Sequence, residues 1–229
     1  MFDGQFRSSV DRAVKPIGDR LRRTRISPDH LTVAGLVIAA GAAVAIGAGF
    51  LALGLLLVIL AALPDLLDGA LAKASNTSSQ RGAFFDSVVD RVTDFLLFGG
   101  VAWYFAATES PYLTLLPFAV AGISGVISYE RAKAESLGLD AKGGLMERAE
   151  RIIMLCLGLL FPPLLIPILW VMLVLTAVTA LQRFLKVWHR AAVAPVTAAR
   201  IEMRRSRRQS RRAARMSRRT RASGLRRQR

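Results

Sequence analysis

Four aspartates, Asp65, Asp68, Asp86 and Asp90, are the residues whose type and spacing point to chemistry. They lie at the ends of two long apolar segments, and an ionised Asp at a bilayer centre costs about 2.5–3.5 kcal/mol. Asp65 and Asp68 are i, i+3, and Asp86 and Asp90 are i, i+4, so on helices each pair projects from one face. Four convergent carboxylates repel one another unless divalent cations neutralise them, and an all-oxygen donor set selects Mg²⁺ or Mn²⁺ over zinc. His30 and His189 are too far apart in sequence to indicate a zinc site, and the single Cys156, inside an apolar run, allows no intramolecular disulfide. Neither a Ser–His–Asp arrangement nor a P-loop occurs. A charged helical hairpin at a membrane surface is the bland alternative for the aspartates.

The elements that carry them are long apolar helices. Hydrophobic residues make up 53% of the 229, and no Lys or Arg occurs between Arg25 and Lys73, Arg91 and Arg131, or Arg151 and Arg183. Each gap holds two spans and a tight turn, since one span takes about 20 residues. The reading is an all-α integral membrane protein with six transmembrane helices, at roughly 31–48, 50–73, 83–106, 111–135, 150–166 and 167–188. Turns fall at Gly47–Gly49, Ala107–Pro111 and Phe161–Pro163. Basic clusters all lie at the opposite helix ends, which by the positive-inside rule puts both termini and the aspartates on the cytoplasmic side of the cell membrane.

Two further parts flank this domain of residues 31–189. In residues 1–30, Phe6, Val10, Val14, Ile17 and Leu21 recur every three or four positions among Arg and Lys, the pattern of an amphipathic interfacial helix. Ser27 or Asp29 is the expected N-cap of the first span. The first apolar stretch is too long for a signal-peptide core and is expected to be retained. Residues 190–229 carry 15 Arg and one Glu and supply most of the net charge of +16. Such a tail cannot order itself in water and is expected to attract anionic membrane lipids. The same charge neutralises nucleic-acid phosphates, but nothing in it reads bases.

The run Asp65-Leu-Leu-Asp68-Gly69-Ala-Leu-Ala72-Lys73, followed by Gly82, Asp86 and Asp90, resembles the signature of the CDP-alcohol phosphotransferases. Seven of the eight signature positions match in type and spacing; the eighth, usually Arg, is Lys73 here. The resemblance implies displacement of CMP from a CDP-linked alcohol by a hydroxyl group, with two Mg²⁺ (or Mn²⁺) ions held by Asp65, Asp68, Asp86 and Asp90. Asp90 is the family's proposed general base. A carboxylate beside a divalent cation is a weak base, so lowering of the hydroxyl's own pKa must share the work. The resemblance places Asp29, His30, Leu31 and Thr32 by the CDP-diacylglycerol site. Gly69 permits close backbone approach there, and Lys73 and Ser79 supply polar contacts; a lysine is a point charge where arginine would give a fork.

The acceptor is not named by the aspartates. Arg131, Arg151 and Arg183 fall where three helices meet the cytoplasmic interface, and their convergence would suit an acceptor bearing a phosphate monoester. Ser128, Tyr129, Ala132, Ala134, Glu135, Gly138, Gly143, Gly144 and the run Glu147-Arg148-Ala-Glu150-Arg151 resemble the phosphatidylinositol phosphate synthases of actinobacterial type. By that resemblance Ser128, Arg131, Arg151 and Arg183 contact inositol phosphate; position 131 is usually Lys in those enzymes. The plainer reading pairs Arg148 and Arg151 with Glu147 and Glu150 along one helix. A glycerol 3-phosphate-using synthase is the rival within the enzyme class, and a divalent-cation transporter the rival outside it. Transporters place acids at the midplane within paired repeats, and the motif here has no second copy. Family members are homodimers, and the small-residue runs Ala39–Ala43 and Ala119–Gly122 permit close helix approach.

Overall fold

The computed structural model describes residues 28–75, 80–109, 111–141 and 143–191 together with Met203; at Pro28 and over 64–75 the helical backbone is what is described. The amphipathic segment before Pro28, Ser79, and the tail beyond Ala191 (Met203 apart) lie outside the described residues. Over residues 28–191 the described residues form six α-helices in order: α1 Pro28–Gly47, α2 Leu51–Ser75, α3 Gln80–Thr108, α4 Leu115–Ser136, α5 Arg148–Leu160 and α6 Leu165–Ala191. Short 3₁₀ turns, Pro111–Thr114 and Pro162–Leu164, precede α4 and α6. There is no strand among the described residues.

Local chemistry explains where these helices begin and end. α1 opens on Pro28, whose missing N–H costs nothing in a first turn. Asp29, expected as a cap, is instead inside that turn, where its charge complements the helix dipole. α1 closes in a Schellman motif: Phe50 N donates to Ala45 O and Gly49 N to Ile46 O, both at 2.9 Å, with Gly49 at φ 87°. α4 closes the same way around Gly138, with Leu139 N to Ala134 O at 2.8 Å. α5 stops at Leu160, short of the expected 166. Pro162 and Pro163 cannot donate into a helical ladder, so the chain makes one 3₁₀ turn and restarts at Leu165.

The helices close into a ring. α1 packs on α2 and α3, α3 on α4, α4 on α6, α6 on α5, and α5 back on α2. Inside it Ile46, Val58, Leu97, Phe98, Val101, Phe105, Val120, Leu155, Leu159, Leu169 and Met172 form one buried cluster. The first small-residue run serves this packing: Ala39, Ala42 and Ala43 are buried within the chain. A Cβ on Gly100 of α3 would lie 2.5 Å from Ala43 O, so only glycine lets α1 and α3 come this close. The outer face is apolar, with Val37, Leu56, Phe95, Phe118, Ile153, Trp170, Val174 and Leu181 exposed. A patch of that extent suits lipid rather than water.

Among the described residues three helical stretches are long and apolar enough to cross a membrane: Asp29–Gly47, Pro111–Ser136 and Pro162–Ala191. Leu51–Leu63 is a shorter apolar stretch. α5, with 13 residues, is about 20 Å long against a hydrocarbon core of about 30 Å.

Candidate active site

Among the described residues the polar side chains gather at one end of the ring, at the starts of α1, α3 and α5 and the ends of α4 and α6. Asp86 and Asp90 stand one turn apart on α3 and line an open cleft of about 270 Å³. Thr32, Gly35 and Leu36 of α1, Ala61 of α2, Val89 and Thr93 of α3, and Arg148 at the start of α5 complete its walls. Of the expected donor-site stretch, Thr32 is the residue in the cleft, Asp29 and Leu31 are half-buried, and His30 is exposed. Asp65 and Asp68 occupy helix positions four and seven residues beyond Ala61, and Gly69 and Lys73 follow on the same helical backbone.

Arginines surround the far side of Asp90. Arg148 Nη1 is 2.8 Å from Asp90 Oδ1, and Arg91 Nη1 is 3.6 Å from Asp90 Oδ2. Arg91 also donates from Nε to Ser128 Oγ at 2.7 Å and from Nη1 to Ser87 O at 2.8 Å, tying α3 to α4. One turn beyond Asp90, Asp94 is buried with Oδ2 at 2.8 Å from Arg151 Nη2 and Oδ1 at 3.4 Å from Arg148 Nε. Arg151 is only 3% exposed. Thus Arg148 and Arg151 turn to α3 across the ring rather than to Glu147 and Glu150 on their own helix. Glu150 instead accepts from Glu147 N at 3.1 Å, closing a capping box that starts α5.

Arg183, 5% exposed, reaches in three directions from α6: Nε to Gly143 O at 2.9 Å, Nη1 to Ile127 O at 3.3 Å and Nη2 to Glu147 Oε1 at 3.0 Å. Arg131 and Arg151 are among the charged groups whose field reaches it, so these arginines share one neighbourhood. Arg131 itself is at the surface, paired with Glu135 at 3.0 Å along α4. The connection between α4 and α5 is held down on α6. Thr179 Oγ1 accepts from Leu145 N at 3.2 Å and Met146 N at 3.0 Å, and a Cβ on Gly144 would lie 2.4 Å from Thr179 Cγ2. Further out, Arg190 donates to Asp140 O at 2.9 Å, and Lys186 Nζ is 3.6 Å from Asp140 Oδ2.

Asp94 and Arg91 are the site residues that reading the sequence for a motif passes over, and Arg148, though part of the run that carries the resemblance, is given no place in the site by it. A signal for Asp94 was present, since Asp86, Asp90 and Asp94 continue the i, i+4 spacing for a third step. The donor chemistry fits a hard divalent cation: Asp86 and Asp90 offer only oxygens to the cleft.

A helical membrane bundle with paired carboxylates at one mouth has known counterparts. The family model for CDP-alcohol phosphatidyltransferases matches residues 25–188, and the chain belongs to that family. It is a membrane-embedded enzyme of that class. Among its relatives, phosphatidylinositol phosphate synthase of Mycobacterium marinum is 33% identical over 192 residues, covering 80% of this chain and 82% of the relative. Archaetidylinositol phosphate synthase of Methanothermobacter thermautotrophicus is 36% identical over 194 residues, covering 81% and 94%. The crystal structure of Mycobacterium tuberculosis phosphatidylinositol phosphate synthase with CDP-DAG bound superposes with a TM-score of 0.72 at 33% identity, covering 77% of this chain and 94% of that one. The same enzyme has also been solved in complex with manganese and citrate; that structure gives a TM-score of 0.72 at 32% identity, covering 76% of this chain and 88% of that one.

Proposed function

We propose that this chain is a phosphatidylinositol phosphate synthase: it transfers the phosphatidyl group of CDP-diacylglycerol to 1D-myo-inositol 3-phosphate and releases CMP. The observation that carries the reading is the juxtaposition of the Asp86–Asp90 cleft with the buried arginines Arg151 and Arg183. The relatives' names agree on an inositol phosphate product and differ in the lipid, which favours this acceptor over glycerol 3-phosphate.

In the reaction, an acceptor hydroxyl oxygen bonds to the phosphorus nearest the diacylglycerol, the bond from that phosphorus to the CMP oxygen breaks, and CMP departs. Asp65, Asp68, Asp86 and Asp90 would hold two Mg²⁺ ions, which when bound supply charge neutralisation of the diphosphate and acidify the attacking hydroxyl. Asp90 takes the hydroxyl proton, and Arg148 at 2.8 Å keeps its carboxylate aimed into the cleft. Thr32 and the backbone at Gly69 border the donor, with Asp29, His30, Leu31, Lys73 and Ser79 as further donor-site residues. Ser128, Arg131, Arg151 and Arg183 bind the acceptor's phosphate, for which a guanidinium fork is the matching group.

The six helices are read as six spans, with both termini and the site on the cytoplasmic face of the cell membrane. The chain is further read as a homodimer whose basic tail lies on anionic lipid. The test is CMP release and lipid product from purified protein with CDP-diacylglycerol and Mg²⁺, run with inositol phosphate and glycerol 3-phosphate in parallel. Product with inositol phosphate is expected; product with glycerol 3-phosphate alone would keep the family and discard the acceptor.

A further inference from the structure

We propose that Asp94 is a positioning residue for the acceptor: from the bundle interior it fixes Arg151 for the acceptor's phosphate and Arg148 against Asp90. The inference rests on the acceptor assignment just made. Asp94 lies four residues beyond Asp90, about 6 Å further along α3, and its side chain is 6% exposed. That depth keeps it off the open cleft, whose α3 lining is Asp86, Val89, Asp90 and Thr93.

Both of its oxygens face arginines from the first turn of α5, Arg151 at 2.8 Å and Arg148 at 3.4 Å. α3 and α5 are not neighbours in the ring of helices, so these long side chains span the interior between them. A buried ion pair is a poor way to gain stability, because apolar residues of similar volume serve as well or better. What it does supply is geometry. With Nη2 on Asp94 at 2.8 Å and Nη1 on Met146 O at 3.5 Å, the guanidinium plane of Arg151 is fixed, Asp94 making the shorter bond, and its buried Nε has no hydrogen-bond partner among the described residues. A buried donor held in a fixed plane is prepared for an oxyanion. Arg148 bonds to Asp90 through Nη1 at 2.8 Å, and its Nε lies 3.4 Å from Asp94 Oδ1, an ion pair without a hydrogen bond, so the charge of Asp94 links the acceptor side of the site to the proposed base.

The test is steady-state kinetics of full-length Asp94→Asn and Asp94→Glu with inositol phosphate varied, alongside calorimetric binding of inositol phosphate and thermal midpoints. Asp94→Asn is expected to raise the KM and Kd for inositol phosphate about tenfold, with the KM for CDP-diacylglycerol within about twofold. Asp94→Glu keeps the buried charge balanced and moves the carboxylate by one methylene. It is expected to fold as the wild type does and still bind inositol phosphate several-fold more weakly. Folded Asp94→Asn with an unchanged KM for the acceptor overturns the proposal. Should Asp94→Asn fail to fold, Asp94→Glu decides: wild-type acceptor affinity in it means Asp94 only balances charge. The wild type is run first with inositol phosphate and glycerol 3-phosphate. Its preference judges the proposed function, and the variants' KM for whichever acceptor it uses judges Asp94, so the two failures are separable.

Discussion

The two ends of the helix ring are built on different physics. At the end of the tight turns, Phe98, Val101 and Phe105 of α3 meet Leu159 of α5 and Leu165 and Leu169 of α6 in one apolar cluster, with α1 close enough that Gly100 touches Ala43. Inside a membrane such packing works through dispersion and shape, since lipid is as apolar as leucine. At the other end the contacts are charged. Asp90 and Asp94 meet Arg148 and Arg151, Arg183 meets Glu147, and the carbonyls of Gly143 and Ile127 accept from two further donors of Arg183. The apolar end can be repacked with other residues of similar volume, whereas the polar end fixes particular atoms in particular places. Binding an acceptor and moving a proton require the second kind of order.

Substitutions at each end sharpen or break that contrast. Asp90→Asn is expected to lower turnover at least about a thousandfold, through loss of a metal ligand and base together. CMP release with CDP-diacylglycerol and inositol phosphate measures it, and near-normal activity would remove Asp90 from the chemistry. Arg151→Ala is expected next, raising the KM for inositol phosphate about a hundredfold, because it deletes a phosphate contact and strands Asp94. An unchanged acceptor KM in folded protein would leave Arg151 a structural residue. Thr179→Val loosens the connection over α6, since Thr179 Oγ1 accepts from two backbone amides. About a threefold rise in the same KM is expected, at the weaker end of what a buried neutral hydrogen bond is worth. Leu159→Ala opens a cavity at the apolar end and lowers the thermal midpoint, with the acceptor KM within about twofold. A KM that followed Leu159 would erase the distinction between the ends. Smallest of all is removal of residues 195–229, expected to weaken binding to anionic vesicles while turnover stays within about twofold.

The helices were largely legible. Charge-free gaps set their number, and glycines at 49 and 138 mark two of their ends. α5 was read too long because apolarity continues through Pro162 and Pro163, and composition outvoted the missing amides. Asp86 and Asp90 were singled out by spacing, and the structure sets both on one cleft. The partners of the arginines were not legible. Arg148 and Arg151 have acids at helical spacing on their own helix, yet they bond to α3 from across the ring. Nothing in the one-dimensional order of charges distinguishes a local pair from one made 57 residues away. The order of helices around the ring was equally hidden, because apolar helices in lipid carry no single buried face to read.

The grip of Lys186 and Arg190 on Asp140 bears on how far the chain can be shortened. Arg183 is the last candidate acceptor residue, and a protein engineer trimming toward it would see an exposed helix end with nothing left to lose. Yet the last two turns of α6 give the α4–α5 connection a further tie beyond those of Thr179 and Arg183, and that connection supplies the carbonyl of Gly143 to Arg183. The shortest polypeptide that keeps this grip therefore ends after Arg190, and a stop codon placed between 184 and 190 removes a tie on the loop from a distance.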